Sequence, residues 1–238
     1  MAYDVQFFEK GFIGIIGADE AGRGALAGPV MAGSVWISQQ FFATYQASEF
    51  LTLFQDSKLL SEEQRKEAFK QLQELAQTGT IGFAHGEASV DEIETHNILQ
   101  ATTLAFQRAL EKLQKERSLS LKKKASLFVS DTRQKDISIL IDGLPLKQLP
   151  YEHRGLVKGD RTSFCIAAAS IVAKITRDHY MHELAKTYPH YGFNEHKGYG
   201  TEKHRETIQK WGPCPLHRPS FLKKLYSANT EDPQLSFL

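Results

Sequence analysis

The sequence predicts a layered α/β or α+β domain. Three observations carry this reading: short apolar runs bounded by glycine near the N-terminus, amphipathic helical patterns alternating with further strand-like runs, and an alanine-rich helical stretch late in the chain. Strands followed by alternating helices and strands bury their apolar faces by packing as layers around a core. Residues 12–18, FIGIIGA, form the first such run and read as a buried strand. Residues 27–37, AGPVMAGSVWI, follow as a second strand after a turn, with Pro29 near its start. Residues 56–77 form a helix: Ser61 is a good N-cap, and Leu59, Phe69, Leu72 and Leu75 supply an apolar face. Residues 80–87 return as a strand. Residues 89–116 make one helix or two, with Ile98, Leu99, Thr102, Leu104 and Ala105 near the inner face. Three lysines at 122–124 sit in a loop or helix end, and ASLFVSD (125–131) and ISILIDG (137–143) both have strand character. From Thr162 the run SFCIAAASIVAKITRDHYM reads as a buried helix led by a Thr or Ser cap. Beyond about residue 205 the pattern is helical and basic, then fades into a polar tail, and no internal repeat is visible.

Bulk properties narrow the class. With 41% hydrophobic and 24% charged residues, the 238-residue chain fits a soluble globular protein able to bury a sizeable core. No apolar run reaches the length of a membrane span. The opening MAYDVQFFEKG carries acids early and does not read as a secretory signal, so a cytoplasmic location is expected. Cys165 and Cys214 have no ligand spacing; they read as packing thiols in a reducing compartment. The net charge of +1 hides an uneven distribution. Residues 197–226 hold seven Lys or Arg against Glu202 and Glu206, and residues 154–178 hold five against Asp160 and Asp178. A basic C-terminal half facing an acidic centre suits nucleic acid. On charge alone, solvated helix faces explain the same residues better.

The acids are more pointed. Asp19 and Glu20 stand side by side after the first apolar run and are followed by Gly22-Arg23-Gly24. Burying two carboxylates is costly unless something positive meets them, and glycines remove side chains where the backbone must approach something closely. A metal ion and a phosphate backbone account for both features. Asp142 ends ISILIDG, and Asp160 in VKGD precedes the alanine-rich helix. Ligand sites gather at strand ends in open α/β sheets, so Asp19, Glu20 and Asp142 are expected to converge, with Asp160 closing the group. Neighbouring side chains on a regular strand face opposite ways, so Asp19 and Glu20 share a site only if the strand ends or bends between them. Four acids without His or Cys prefer Mg²⁺ or Mn²⁺. Two such ions roughly 3.5–4 Å apart can activate water and stabilise a leaving oxygen in phosphodiester hydrolysis. Plainer roles compete: Asp160 as a helix cap and Asp142 as a turn residue before Gly143.

The stretch GADEAGRGALAGPV (17–30) resembles the first signature of ribonuclease HII, the type 2 ribonuclease H that acts on RNA embedded in DNA. Further resembling motifs follow in order: DSKLLS (56–61), NILQAT (97–102), LIDG (140–143), KGD (158–160), AAASIVAKITRD (167–178), YGFNEHKGYGT (191–201) and GPCPLHRPSF (212–221). So many motifs in register, over roughly residues 12–222, form a specific pattern. The resemblance implies that Asp19, Glu20, Asp142 and Asp160 are metal-binding catalytic acids for Mg²⁺ or Mn²⁺. It implies that the backbone of Gly22, Arg23 and Gly24 reads a ribose 2′-hydroxyl, the group that separates RNA from DNA at one position. Tyr199 would stack on the sugar of the next nucleotide; its plainer reading is an amphipathic core tyrosine. Lys58, Arg23, Lys197 and Arg205 would meet phosphates on either side of the cut. Arg177–Asp178 reads as an internal ion pair, and His196 and His217 as structural.

The fold the resemblance implies is α/β and ribonuclease H-like: a mixed five-stranded sheet flanked by helices, with a helical C-terminal extension. A catalytic domain is expected over residues 1–205, with the extension and polar tail over 206–238. Ribonuclease HIII resembles this type in its core but carries a separate N-terminal domain, for which acids beginning at residue 19 leave no room. The expected activity is metal-dependent hydrolysis of the phosphodiester 5′ of a ribonucleotide, in RNA/DNA hybrids and in duplex DNA, leaving a 3′-hydroxyl and a 5′-phosphate, as in ribonucleotide and RNA primer removal. A non-catalytic hybrid binder and a general structure-directed nuclease are the alternatives. Carboxylates facing phosphates argue against the binder; Gly-Arg-Gly with Tyr199 argues for ribonucleotide specificity. The C-terminal QLSFL (234–238) resembles short peptides that dock on the sliding clamp, against the competing reading of a disordered tail. A monomer is expected.

Overall fold

The computed structural model describes residues 2–45, 54, 60–119, 121 and 137–223. The strand expected at 125–131, the lysines at 122–124, Lys58 and the QLSFL tail lie outside the described residues. The elements run α1 (Ala2–Glu9), β1 (Gly14–Ala21), β2 (Val30–Ser38), α2 (Gln39–Tyr45), α3 (Glu62–Ala76), β3 (Ile81–Ala88), α4 (Val90–Arg117), β4 (Ile137–Asp142), β5 (Arg154–Leu156), α5 (Phe164–Thr187), α6 (Phe193–His196) and α7 (Glu202–Trp211).

The sheet has the order β3-β2-β1-β4-β5. Strand β1 pairs antiparallel with β2, and β2 with β3, whereas β4 lies parallel to β1 and β5 parallel to β4. The sheet is therefore mixed, and β1 is its centre. Alternation along β1 divides the core. Ile15 faces a cluster with Leu140 and the start of α5, and Ile16 and Ala18 face a second cluster with Ile139, Ile141 and α4. Fully burying each isoleucine is worth roughly 1.5–3 kcal/mol. The alanines of α5 let that helix sit directly on the sheet. A Cβ added at Gly33 on β2 would lie 2.2 Å from the Ala169 carbonyl oxygen, so no side chain fits between them.

Helix starts follow their caps. Ser61 caps α3 and forms a reciprocal capping box with Gln64, and Ser89 does the same for α4 with Glu92. Ser163 caps α5, and its hydroxyl donates to buried Asp4, which also accepts from the Phe164 amide, both at 2.6 Å. Helix α4 is two helical segments joined at Asn97, whose left-handed φ of 66° breaks the run. The Asn97 carboxamide oxygen then accepts from the amides of Leu99 (3.0 Å) and Gln100 (3.2 Å), which restarts the helix.

The expected division at 205/206 falls inside α7. Residues beyond that helix return to the core: Ala27 bridges His217, and Gly28 N–H donates to Leu216 O at 2.8 Å. Cys165 is buried, Cys214 half-buried, and both are free thiols. No helix among the described residues is long and apolar enough to cross a membrane.

Candidate active site

Asp19 and Glu20 do not sit where a strand ends. Strand β1 continues through Ala21, still paired with β2. What ends is the other ladder: β1–β4 pairing stops at Ala18↔Ile141, so the last residues of β1 have no neighbour on that side. Into this gap the acids converge. Asp19 and Asp142 share the α5 side of the sheet, while Glu20 faces the α4 side at its open rim. All three line a cavity of about 440 Å³, together with Gly22, Arg23, Gly24 and Tyr199. An adjoining cavity of about 540 Å³ shares Glu20, Arg23 and Asp142 and extends along an apolar wall of Leu99, Phe106 and Leu144. A groove thus crosses the carboxylates.

Asp160 lies in a single 3₁₀ turn, Gly159–Arg161, directly before α5. It is buried but does not line the cavity. The turn is tied to the site by its neighbour, since the Gly159 amide donates to Asp142 Oδ1 at 2.7 Å. The charges strain one another. Burial, then Glu20 and Asp142, push the Asp19 carboxyl well above the usual range, and Asp160 adds a smaller push. The Glu20 amide, donating to Asp19 Oδ1 at 2.7 Å, opposes this only in part. Burial also raises Glu20, against the pull of Arg23, whose guanidinium lies 3.5 Å from Glu20 Oε1.

Gly22 is at φ +87°, and an added Cβ there would fall 1.9 Å from Arg177 Nε. The position tolerates only glycine. The Gly22 amide donates to the Tyr199 hydroxyl at 3.2 Å. The Tyr199 ring stands 5.2 Å from the Arg177 guanidinium and 5.9 Å from Lys174 Nζ.

The remaining expected residues among those described lie outside this cavity. Lys197 does not line the cavity; its ammonium donates to Asn194 O, and only its carbonyl turns inward, to Arg177 at 2.8 Å. Arg205 borders a separate surface cavity with Glu202 and Glu206. Arg177 and Asp178 are not an ion pair. Asp178 is bonded to Lys174 Nζ at 2.7 Å, and fully buried Arg177 donates to backbone carbonyls instead. The pair follows from helix geometry, because residues four apart share a face and adjacent ones do not. His196 and His217 do not line the cavity: His217 is hydrogen-bonded to His204, which bonds Tyr199 O, and His196 stacks on His204.

Sequence reasoning missed three polar residues that line the cavity: Arg65 on α3, and Ser170 and Lys174 on α5. Ser170 and Lys174 carry a signal, four residues apart within the motif AAASIVAKITRD. Arg65 carries none, because only tertiary packing brings α3 to the site.

The sequence profile of ribonuclease HII matches residues 16–224 of the chain. The ribonuclease HII of Endomicrobium trichonymphae is 42% identical over 220 residues, covering 92% of this chain and 90% of the relative. That of Desulfitobacterium hafniense is 41% identical over 216 residues, covering 91% of this chain and 71% of the relative. The chain belongs to the ribonuclease HII family. Among solved structures, ribonuclease H2 of Pyrococcus horikoshii OT3 superposes with a TM-score of 0.62 at 22% identity, over 92% of this chain and 100% of that one. Bst-RNase HIII in complex with Mn²⁺ gives 0.61 at 18% identity, over 94% and 73%. Both share the ribonuclease H-like fold.

As a ribonuclease HII the chain is an endoribonuclease acting on RNA/DNA hybrids, in a family that depends on a divalent metal ion. The donor set fits a hard cation: mutually repelling carboxylate oxygens with no His or Cys among them. The set is open. Among the described residues no three His, Cys, Asp or Glu side chains already close on a metal position. Mg²⁺ accepts this, because it retains waters and takes one or two carboxylates plus substrate phosphate oxygens.

Proposed function

We propose that the chain hydrolyses the phosphodiester on the 5′ side of a ribonucleotide, in RNA/DNA hybrids and at single ribonucleotides in duplex DNA. The observation that supports this best is a single cavity bordered by Asp19, Glu20 and Asp142 on one side and by Gly22, Arg23, Gly24 and Tyr199 on the other. A Mg²⁺ or Mn²⁺ ion held by Asp19, Glu20 and Asp142, with Asp160 in support, would supply the charge that activates water and stabilises the leaving oxygen. The chain's own groups orient the strand. Arg23, Arg65 and Lys174 meet phosphate oxygens, the Gly22–Gly24 backbone takes the 2′-hydroxyl, and Tyr199 packs on the adjoining sugar. Water adds to phosphorus, the bond to the preceding 3′-oxygen breaks, and the products carry a 3′-hydroxyl and a 5′-phosphate. The 2′-hydroxyl is not consumed, so it acts as an address and not as a nucleophile.

A labelled DNA duplex with one ribonucleotide, incubated with Mg²⁺ or Mn²⁺, tests the reading. One cut 5′ of the ribonucleotide is expected, absent from an all-DNA duplex and from Asp19→Asn. Binding without cutting in either metal would make the chain a hybrid binder, and cutting of the all-DNA duplex would make it a structure-directed nuclease.

We also infer docking on the sliding clamp through residues 234–238. The support is the QLSFL motif and the solved PCNA:RNase HII complex from Archaeoglobus fulgidus, which aligns with this chain at a TM-score of 0.60 and 18% identity. Clamp pull-down that is unchanged by deleting those residues would end this reading.

A further inference from the structure

We infer that Arg177 and Arg218 are paired positioning residues that shape the Gly22–Gly24 backbone for a ribonucleotide and hold positive charge beneath it. The inference rests on the reading of Gly22–Gly24 proposed above. Both side chains are fully buried. Neither has a carboxylate within ion-pair distance among the described residues. Their donors go to backbone oxygens instead. Arg177 gives Nε to Pro29 O (3.0 Å), Nη1 to Lys197 O (2.8 Å) and Nη2 to Ala27 O (3.0 Å). Arg218 gives Nε and Nη2 to Gly28 O (2.9 and 2.7 Å) and Nη1 to Arg23 O (3.1 Å).

The result is a loop held from beneath by its carbonyls. Its carbonyls at Arg23, Ala27, Gly28 and Pro29 point into the protein. The amides of Arg23 and Gly24 donate to no group among the described residues, and that of Gly22 meets only the Tyr199 hydroxyl. The amides of Leu26, Ala27 and Gly28 are paired with Gly198 O and Leu216 O, so those left to an oxygen ligand are the amides of Arg23 and Gly24. Packing alone would be served by apolar side chains of similar volume, since a buried charge without a counter-ion is costly. Burial above all, and then Arg177, push the Arg218 guanidinium down to about 9. Lysine cannot substitute, because the planar fork of a guanidinium reaches several carbonyls at once and an ammonium is a point charge. The glycine completes the arrangement: the space a Cβ would need at Gly22 is filled by Arg177.

The test compares the full chain with Arg218→Lys in Mg²⁺, reading KM for a duplex with one ribonucleotide and the inhibition constant of the identical all-DNA duplex. In the unaltered chain, KM well below that constant is expected; equal values would end the Gly22–Gly24 reading itself. Given that preference, Arg218→Lys should raise KM about tenfold and leave the all-DNA constant within about twofold, the pattern of a lost hydroxyl contact. Parallel change in both, or in neither, would reduce the arginines to fold stabilisers and overturn the inference. Arg177→Lys gives the same reading where Arg218→Lys does not fold. Should neither fold, ¹⁵N spectra of the unaltered chain decide. The Nε–H signals of both arginines should shift with the ribonucleotide duplex and not with the all-DNA duplex, and signals that respond equally to the two would overturn the inference.

Discussion

At the scale of single residues, Asp19 sets the stability of the fold against the metal-binding role proposed for it. Its carboxyl is buried, faces three other acids and is pushed well above the ordinary range, so its folded-state pKa exceeds the unfolded one. A group of that kind loses stability as pH rises through the folded pKa. Asp19→Asn removes the charge and keeps an acceptor for the Glu20 amide. In chelator at pH 8 the variant should melt higher by roughly 2–4 °C, the equivalent of about 1 kcal/mol for a chain of this size, while cleavage is lost. A lower melting temperature would show that the carboxylate contributes to the fold. The convergence of Asp19, Glu20 and Asp142 on one cavity was legible in the sequence because acids at the ends of apolar runs have few structural reasons to be there. Arg65 and Arg218 were not, because their roles depend on chain crossings that no local pattern encodes. Lys197 and Arg205 sit in or beside the same motifs, and they lie outside the cavity that holds the acids.

At the scale of elements, caps and apolar periodicity placed most helices and strands, and the misjudged points are backbone ones. The end of β1 was expected where Asp19 and Glu20 diverge, whereas the strand persists and its partner ladder stops instead. Pairing length depends on the partner, so β1 alone could not reveal it. The C-terminal elements are joined by imidazoles. His204 Nδ1–H donates to Tyr199 O (2.9 Å), its Nε2 accepts from His217 Nε2–H (3.1 Å), and His217 Nδ1 accepts the Cys214 amide (3.0 Å). His196 stacks on His204 at 4.1 Å. This chain of bonds needs both imidazoles neutral, and burial first, then neighbouring histidines, lowers His204 and His217 to about 4. Their folded pKa values lie below the unfolded one, so their stability is present above pH 6.5 and is lost as pH falls toward 4. The full shift corresponds to roughly 3 kcal/mol per imidazole. Melting temperature should therefore fall from pH 7 to pH 4.5. His217→Asn, which keeps an acceptor for the Cys214 amide, should show a shallower fall; an unchanged slope would place the acid sensitivity elsewhere.

At the scale of the whole molecule, the layered α/β architecture was legible from the succession of elements, but strand order was not. Nothing local in ISILIDG states that it lies parallel to β1 and on the side opposite β2. That arrangement bears on how the molecule comes into being. Strands β1, β2 and β3 are neighbours in sequence and pair in a meander, while the β1–β4 ladder joins Gly14 to Ile137. Pairing across so long a stretch has a large loop-closure cost and forms late. Asp142 arrives on β4, so the acid cluster is incomplete until that strand docks. On dilution from denaturant, the fluorescence of Trp36, on β2, should recover in an earlier phase than nuclease activity sampled at successive times. Simultaneous recovery would mean that the sheet closes in one step. If the acids act as proposed, the gap left open at the end of β1 is a clock as well as a site: a newly made chain remains harmless to nucleic acid until the β1–β4 pairing is in place.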